Sequence, residues 1–416
     1  MRENTKTNRQ ISESIGEQNE GDFYKGVSMI RNKKIGILTH YYRSNNYGGN
    51  LQAYALCRFI NEKVPHVSAE QVSYDIYSLQ TRKRKRYSLS KVIKKLKIKL
   101  TYTINRTIKK EIYIELDKRK KAILKFNQES IPHSIKIYNR LNINECNSEY
   151  DIFITGSDQV WHPNVLCPAY LLSFTEKDKV KLSYAASVAK DILTEEEKQI
   201  FKEALRDYKA ISVRENEAIS LLVDISPMEP EWVLDPVLLL TREKWDFVST
   251  ERIVEEPYLF CYFLGDDITI RHLAEEYAKK KNLKIVTLPY LLGEYRKCDL
   301  DFGDERLYSI SPPDFISLIK YADCIFTDSF HAAVFSGIYE REYFVFERAE
   351  AKNSSSRIYS LLSLYETEEH FCDTEKKRTL SYLLNIKKID YSRKLEKLEE
   401  MKKKSVRFLE ENIGVK

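Results

Sequence analysis

The chain has 416 residues, of which 43% are hydrophobic and 31% charged, with a formal net charge of +6. It is too long for one core and too apolar for a disordered protein, so two globular domains of ordinary size are expected. No run of about 18 uncharged apolar residues occurs, which excludes a transmembrane helix.

Residues 1–32 are polar and mixed in charge, without the apolar core of a signal peptide. They are expected to form a disordered tail on a cytoplasmic protein. The seven cysteines form no CxxC pair and read as reduced thiols, most of them buried. The seven histidines are scattered, so no metal and no cofactor is expected.

An N-terminal domain is expected over 33–238. It opens with a buried strand over 35–39 and a loop over 40–49 holding Asn45-Asn46-Tyr47-Gly48-Gly49. A helix is expected from Asn50. This strand–loop–helix layout suits a phosphate, but it matches neither a P-loop nor GxGxxG. Residues 81–125 carry 18 Lys or Arg against three acids, a local charge of +15 that leaves −9 for the remainder. They read as a helical basic insertion with apolar stripes. Such a segment either packs on the domain as a solvated helix or makes peripheral contact with anionic lipid. Because the positive charge is local, a general nucleic-acid binder is not expected.

Strands follow at 150–155, 180–184, 209–213 and 232–234. They end respectively in Gly156-Ser157-Asp158-Gln159-Val160-Trp161, Ala185-Ala186-Ser187, Arg214-Glu215 and Asp235-Pro236. A C-terminal domain, 239–385, repeats the theme. Strands at 258–264, 284–288, 324–327 and 342–346 alternate with helices, and a charged helix closes the chain over 386–416. The alternation predicts an α/β fold: two Rossmann-like domains with parallel sheets facing a cleft. Polar clusters recur at the strand ends, which is where open α/β sheets bind ligands. His331 stands out, at the end of an apolar strand and in the first turn of a helix opened by Asp328 and Ser329. It reads equally as a catalytic imidazole and as a core histidine.

Six stretches carry a resemblance when taken in order. They are Asn46-Tyr47-Gly48-Gly49-Asn50-Leu51-Gln52-Ala53-Tyr54, Gly156 to Trp161, Ser183-Tyr184-Ala185-Ala186-Ser187, Ile211-Ser212-Val213-Arg214-Glu215, Val233-Leu234-Asp235-Pro236 and Thr327-Asp328-Ser329-Phe330-His331. Over about 35–364 the chain resembles the polysaccharide pyruvyl transferase family. The resemblance implies a fold similar to the GT-B glycosyltransferases. It also implies a reaction: pyruvate from phosphoenolpyruvate becomes a cyclic ketal on two hydroxyls of a sugar in a surface polysaccharide or its lipid-linked precursor. Better-known members resemble Ser/Thr-x-Arg-Leu-His at the last motif, where the Arg helps hold phosphoenolpyruvate. Here Ser329 and Phe330 stand in place of Arg and Leu, and Arg357, after a Ser-rich loop, is the candidate replacement.

Ketal transfer needs a general acid, a base and cations for two anionic groups. His331 is the expected acid, since imidazole titrates near neutrality. Asp158 is the candidate base, with a structural role an equal alternative; Asp328 reads first as a helix cap. Arg214, Arg357, Ser329 and Ser356 are the expected donor ligands. Trp161 and Tyr184 are candidates to stack on a sugar. Asn46, Tyr47, Gly48, Gly49, Gln52, Gly156, Ser157, Gln159 and Ser187 are expected on the substrate side. Two alternatives stay open: a nucleotide-sugar glycosyltransferase with the same cleft, and a non-catalytic glycan-binding relative.

Overall fold

A computed structural model describes residues 32–78, 109–291, 296–348, 355–373, 377–392 and 395–414. The expected disordered tail up to residue 31 and the part of the basic insertion over 81–108 lie outside the described residues.

Two fully parallel sheets organise the chain. The first contains Lys33–Leu38 (β1), Val67–Tyr74 (β2), His133–Tyr138 (β3), Ile152–Thr155 (β4) and Val180–Ser183 (β5), in the order β3-β2-β1-β4-β5. Ser212–Val213 (β6) and Glu231–Trp232 (β7) pair in parallel beside it, and Leu182 bridges to Ala210. The second sheet contains Tyr258–Tyr262 (β8), Lys284–Thr287 (β9), Glu305–Arg306 (β10), Cys324–Thr327 (β11), Glu342–Phe346 (β12) and Phe371–Cys372 (β13). Its order is β10-β9-β8-β11-β12-β13. β4 and β11 are buried along their whole length, as expected of apolar runs covered on both faces.

Strands β2 and β3 escape the sequence pattern for opposite reasons. β2 carries polar residues into the interior. Buried Gln71 donates from Nε2 to the Ala53 carbonyl (3.1 Å), and buried Ser73 donates to the Ser134 carbonyl (3.0 Å). β3 is the edge strand and exposes Ile135 and Ile137 to solvent.

Helix Tyr47–Lys63 (α1) starts three residues before the expected Asn50. Asn46 caps it, accepting from the Gly49 N–H at 3.3 Å. Gly48 and Gly49 therefore lie in a helical first turn and not in a loop. Helix Lys110–Ser130 (α2) is the described part of the basic insertion. One face of it packs on the domain, where Tyr113, Arg119, Ile123, Phe126 and Asn127 are buried. Arg119 donates to the carbonyls of Pro289 and Leu307, both at 2.9 Å, tying α2 to the second half.

Helices Pro312–Lys320 (α3), Phe330–Ile338 (α4) and Ser356–Tyr365 (α5) flank the second sheet, and Glu396–Ile413 (α6) ends the described chain. One hydrophobic core runs through both halves. Tyr47 of α1 stacks on Phe315 of α3 at 5.0 Å and 2°, and its hydroxyl donates to the Ile310 carbonyl at 2.7 Å. α6 returns to the first half, where the Leu234 N–H donates to Ser405 Oγ at 2.8 Å and Phe408 packs on Tyr184.

Candidate active site

In each sheet the strand order reverses once, between β1 and β4 and between β8 and β11. A crevice opens at the carboxyl ends of such strand pairs. The residues after β1 and β4 are His40 and Asp158; those after β11 lead to His331. Contacts between the halves bring these ends together.

His331 lies in the first turn of α4, after Ser329, which caps the helix without a side-chain hydrogen bond. Its Nε2 is 3.5 Å from Asp235 Oδ2. That contact is an ion pair when the imidazole is protonated; otherwise Nε2 is buried without a hydrogen-bond partner. From the opposite side, α1 presses its first turn onto the ring. A Cβ built on Gly48 would lie 2.2 Å from His331 Nδ1, so only glycine fits there.

Asp235, beyond the end of β7, is the hub of the site. Its Oδ2 accepts from Ser157 Oγ (3.1 Å) and Arg214 Nη1 (3.0 Å), and its Oδ1 accepts from the Val237 N–H (3.0 Å). Burial alone would raise its pKa. The charges of His331 and Arg214 and the Val237 N–H outweigh burial and hold the carboxyl well below the usual range. The sequence shows it as a strand end within Val233-Leu234-Asp235-Pro236, one of the stretches that carry the resemblance, and assigns it no site role.

Asp158 sits at φ 68° after β4, with Oδ1 at 3.6 Å from Arg214 Nη2. Burial works against its charge, but Arg214, His331, His40 and Arg357 together lower its pKa. His40 is a second site imidazole that the sequence left unassigned; its one signal is its place directly after the first buried strand. Its ring packs on Tyr170 at 4.6 Å, and its Nε2 is buried without a partner. Burial lowers its pKa, with the Asp158 carboxylate opposing.

The two candidate donor arginines differ in kind. Arg214 is 3% exposed, held by Asp235 and Asp158, with its guanidinium over the Phe330 ring at 4.5 Å. Arg357, in the first turn of α5, is equally enclosed at 7% exposure, yet among the described residues no carboxylate contacts it. Its Nε and the neighbouring Ser356 Oγ are buried without partners. Burial, then repulsion from Arg214 and Arg348, pulls its pKa down to about 9, so it stays charged at neutral pH. A buried cation and a hydroxyl that find no partner among the described residues, at the start of a helix, make a place for an anion.

Other candidates hold the scaffold. The sugar-stacking expectation for Trp161 and Tyr184 is corrected: both are fully buried. Trp161 donates to the Tyr170 carbonyl and packs on Phe201 and Tyr208; Tyr184 donates to the Leu234 carbonyl. Tyr47 is likewise taken up by the contact between the halves and does not face a substrate. Gln52 donates to Thr39 Oγ1 and the Gly49 carbonyl, and Ser187 donates to Glu215. Glu215 also receives the N–H groups of Val188 and Ala189. Gly156, at φ 112°, has no room for a Cβ, which would lie 2.2 Å from the Tyr184 carbonyl oxygen. Gln159 offers its backbone to His40. Asp328 does not cap α4: its carboxylate accepts from the N–H groups of Leu264 (2.6 Å) and Gly265 (2.7 Å), bracing the turn after β8. Among the described residues no cluster of His, Cys, Asp or Glu is arranged to hold a metal ion.

The sequence profile of polysaccharide pyruvyl transferase matches residues 46–348, a span that takes in the site from Gly48 to His331 and leaves out His40 and Arg357. The chain belongs to that family. No curated relative matches it. Among solved structures, a UDP-GlcNAc 2-epimerase from Neisseria meningitidis, bound to UDP-GlcNAc, aligns with a TM-score of 0.51 at 10% identity, over 92% of this chain and 99% of that one. MnaA of S. aureus, in a co-structure with UDP, gives 0.49 at 10% identity over 91% and 96%. A UDP-GlcNAc 2-epimerase from Methanocaldococcus jannaschii gives 0.48 at 11% over 90% and 98%. At such identities the likeness concerns the fold alone, a GT-B-like pair of Rossmann-like α/β halves.

Proposed function

We propose that the chain transfers a pyruvyl group from phosphoenolpyruvate onto two hydroxyls of one sugar and closes a cyclic ketal. Family membership supports this, and the observation that carries it is Arg357: a buried guanidinium near Arg214 and Asp158 that no carboxylate contacts among the described residues. A small dianionic donor supplies the missing charge. Ser356 and the start of α5 add hydrogen-bond donors, so the Arg that Ser329 replaces is made good from another helix.

Protonated His331, stabilised by Asp235, gives its proton to the methylene carbon of the enol, which becomes a methyl group. The adjacent carbon takes on oxocarbenium character. One sugar hydroxyl adds to that carbon and yields its proton to Asp158. The C–O bond to phosphate breaks, the proton held by Asp158 passes to the departing group, and hydrogen phosphate leaves with its charge stabilised by Arg214 and Arg357. The second hydroxyl adds, closes the ring and returns a proton to His331. The acceptor is part of a surface polysaccharide or its lipid-linked precursor, and the basic segment 81–125 would hold the chain against anionic lipid.

Phosphate release from phosphoenolpyruvate, measured across a panel of sugars that includes galactose-type acceptors, tests the reading. Turnover is expected with at least one acceptor. His331→Ala should lower it by about 10²–10⁴-fold at an unchanged melting temperature. Full activity in that variant, or no phosphoenolpyruvate-dependent thermal shift in the wild type, overturns it.

A further inference from the structure

A cavity of about 620 Å³ lies apart from the catalytic groups, between α2, edge strand β3 and the loop after β1. Its size falls in the range of small-molecule sites. Loop 40–46 is the wall it shares with the active site. Tyr41 to Arg43 and Asn45 line the cavity, while His40 and the Asn46 cap of α1 belong to the catalytic side.

Two features of the lining specify a ligand. The first is charge. Arg43, Lys120 and His133 face the cavity, and among the described residues no Asp or Glu lines it, in a chain with 62 acids to 68 bases. Arg43 gives Nη1 to Asp75 at 2.8 Å, but its side chain stays 60% exposed. His133 uses Nδ1 on the Ile131 carbonyl at 2.7 Å, so Nε2 is its outward atom. The second feature is an unanswered acceptor. Asn127 is 6% exposed, and its Nδ2 donates to the Tyr41 carbonyl and to Asn50 Oδ1. That fixes the amide's orientation and leaves Oδ1 buried with no donor. A ligand that satisfies both features carries an anionic group and a hydroxyl donor.

We propose that this cavity binds an acidic sugar unit of the acceptor glycan, next to the unit that receives the ketal. The acidic group, a carboxylate or a phosphate, meets Arg43, Lys120 and His133, and a hydroxyl donates to Asn127 Oδ1. The acceptor role rests on the pyruvyl-transfer reading; the binding of an acidic sugar does not. An acceptor that spans both sides of loop 40–46 is longer than a monosaccharide. The enzyme therefore acts after at least one glycosyl transfer has linked that unit to the acidic one.

The test is direct binding to the full chain, followed by backbone amide shifts. The probes are hyaluronan tetrasaccharide for a carboxylate, glucose 1-phosphate for a phosphate, and chitotetraose as the neutral control. One anionic probe should shift residues 41–45 and 133–137, bind at least about tenfold tighter than chitotetraose, and weaken with salt. Lys120→Glu, a change at an exposed position, should cost about tenfold in that affinity. Equal binding of the neutral probe, an unaffected Lys120→Glu variant, or no binding of any probe at millimolar concentration overturns the proposal. Binding without phosphate release from phosphoenolpyruvate would keep the acidic-sugar site and reject the pyruvyl-transfer reading. Phosphate release without probe binding would do the reverse.

Discussion

Arg357 shows what a single residue gives up for a site. A guanidinium enclosed with no carboxylate in contact among the described residues opposes folding, since burial and its cationic neighbours outweigh the pull of Asp158 and Glu215. Even a paired buried charge is often replaced by apolar residues of similar volume at no cost or with a gain of about 1–4 kcal/mol, so an unpaired one should be replaced at least as readily. Arg357→Met is therefore expected to melt at or above the wild-type temperature without ligand and to lose the thermal shift given by phosphoenolpyruvate. Differential scanning fluorimetry with and without the donor measures both. A variant that melts several degrees lower and keeps its shift would make Arg357 a structural residue. The sequence marks Arg357 by its place after a Ser-rich loop. It shows Asp235 only as a strand end in a stretch that carries the resemblance; the residue's importance comes from three partners at positions 157, 214 and 331.

At the scale of elements, the decisive contact is the first turn of α1 against the first turn of α4. Gly48 is where the two helices meet, and its missing Cβ is where the His331 ring sits. Alanine is the better helix former by about 1 kcal/mol, so within α1 alone Gly48→Ala should stabilise. Across the contact it must displace the imidazole, because backbone and ring cannot both stay in place. The expected outcome is a melting temperature close to wild type with turnover lowered by at least about 10²-fold, the scale of losing the general acid. Steady-state phosphate release decides the matter: wild-type kcat in Gly48→Ala would show that the ring moves aside without consequence.

For the molecule as a whole, α6 is the return connection. The chain crosses from the first half to the second near Pro236 and comes back through α6. There Phe408, Leu409 and Ile413 are buried in the core shared by both halves. Removing large buried side chains costs about 2–5 kcal/mol each. A chain ending at residue 392 should thus lose more than one such contribution and leave Tyr184 uncovered on one side. It is expected to unfold well below the full chain in thermal melts, or to fail to accumulate in soluble form. A truncated chain with the wild-type melting temperature would show that α6 merely rests on the surface.

Patterns that depend on near neighbours were legible in the sequence. Apolar runs alternating with helical spacing implied parallel sheets in two Rossmann-like halves. Strand ends with polar clusters implied a crevice, and a capped helix start after β11 singled out His331. Each follows from burial period and capping, which act within a few residues. Tertiary structure alone decided which strand ends meet. It placed Asp235 between Arg214 and His331, set His40 near Asp158, and stacked Tyr47 on Phe315. It also sent Trp161 and Tyr184 into the core, where the composition of a strand end equally allows a sugar platform. The fate of an aromatic ring or a carboxylate is fixed by partners tens to hundreds of residues away. Desolvation and pairing at those contacts outweigh any preference a local segment expresses.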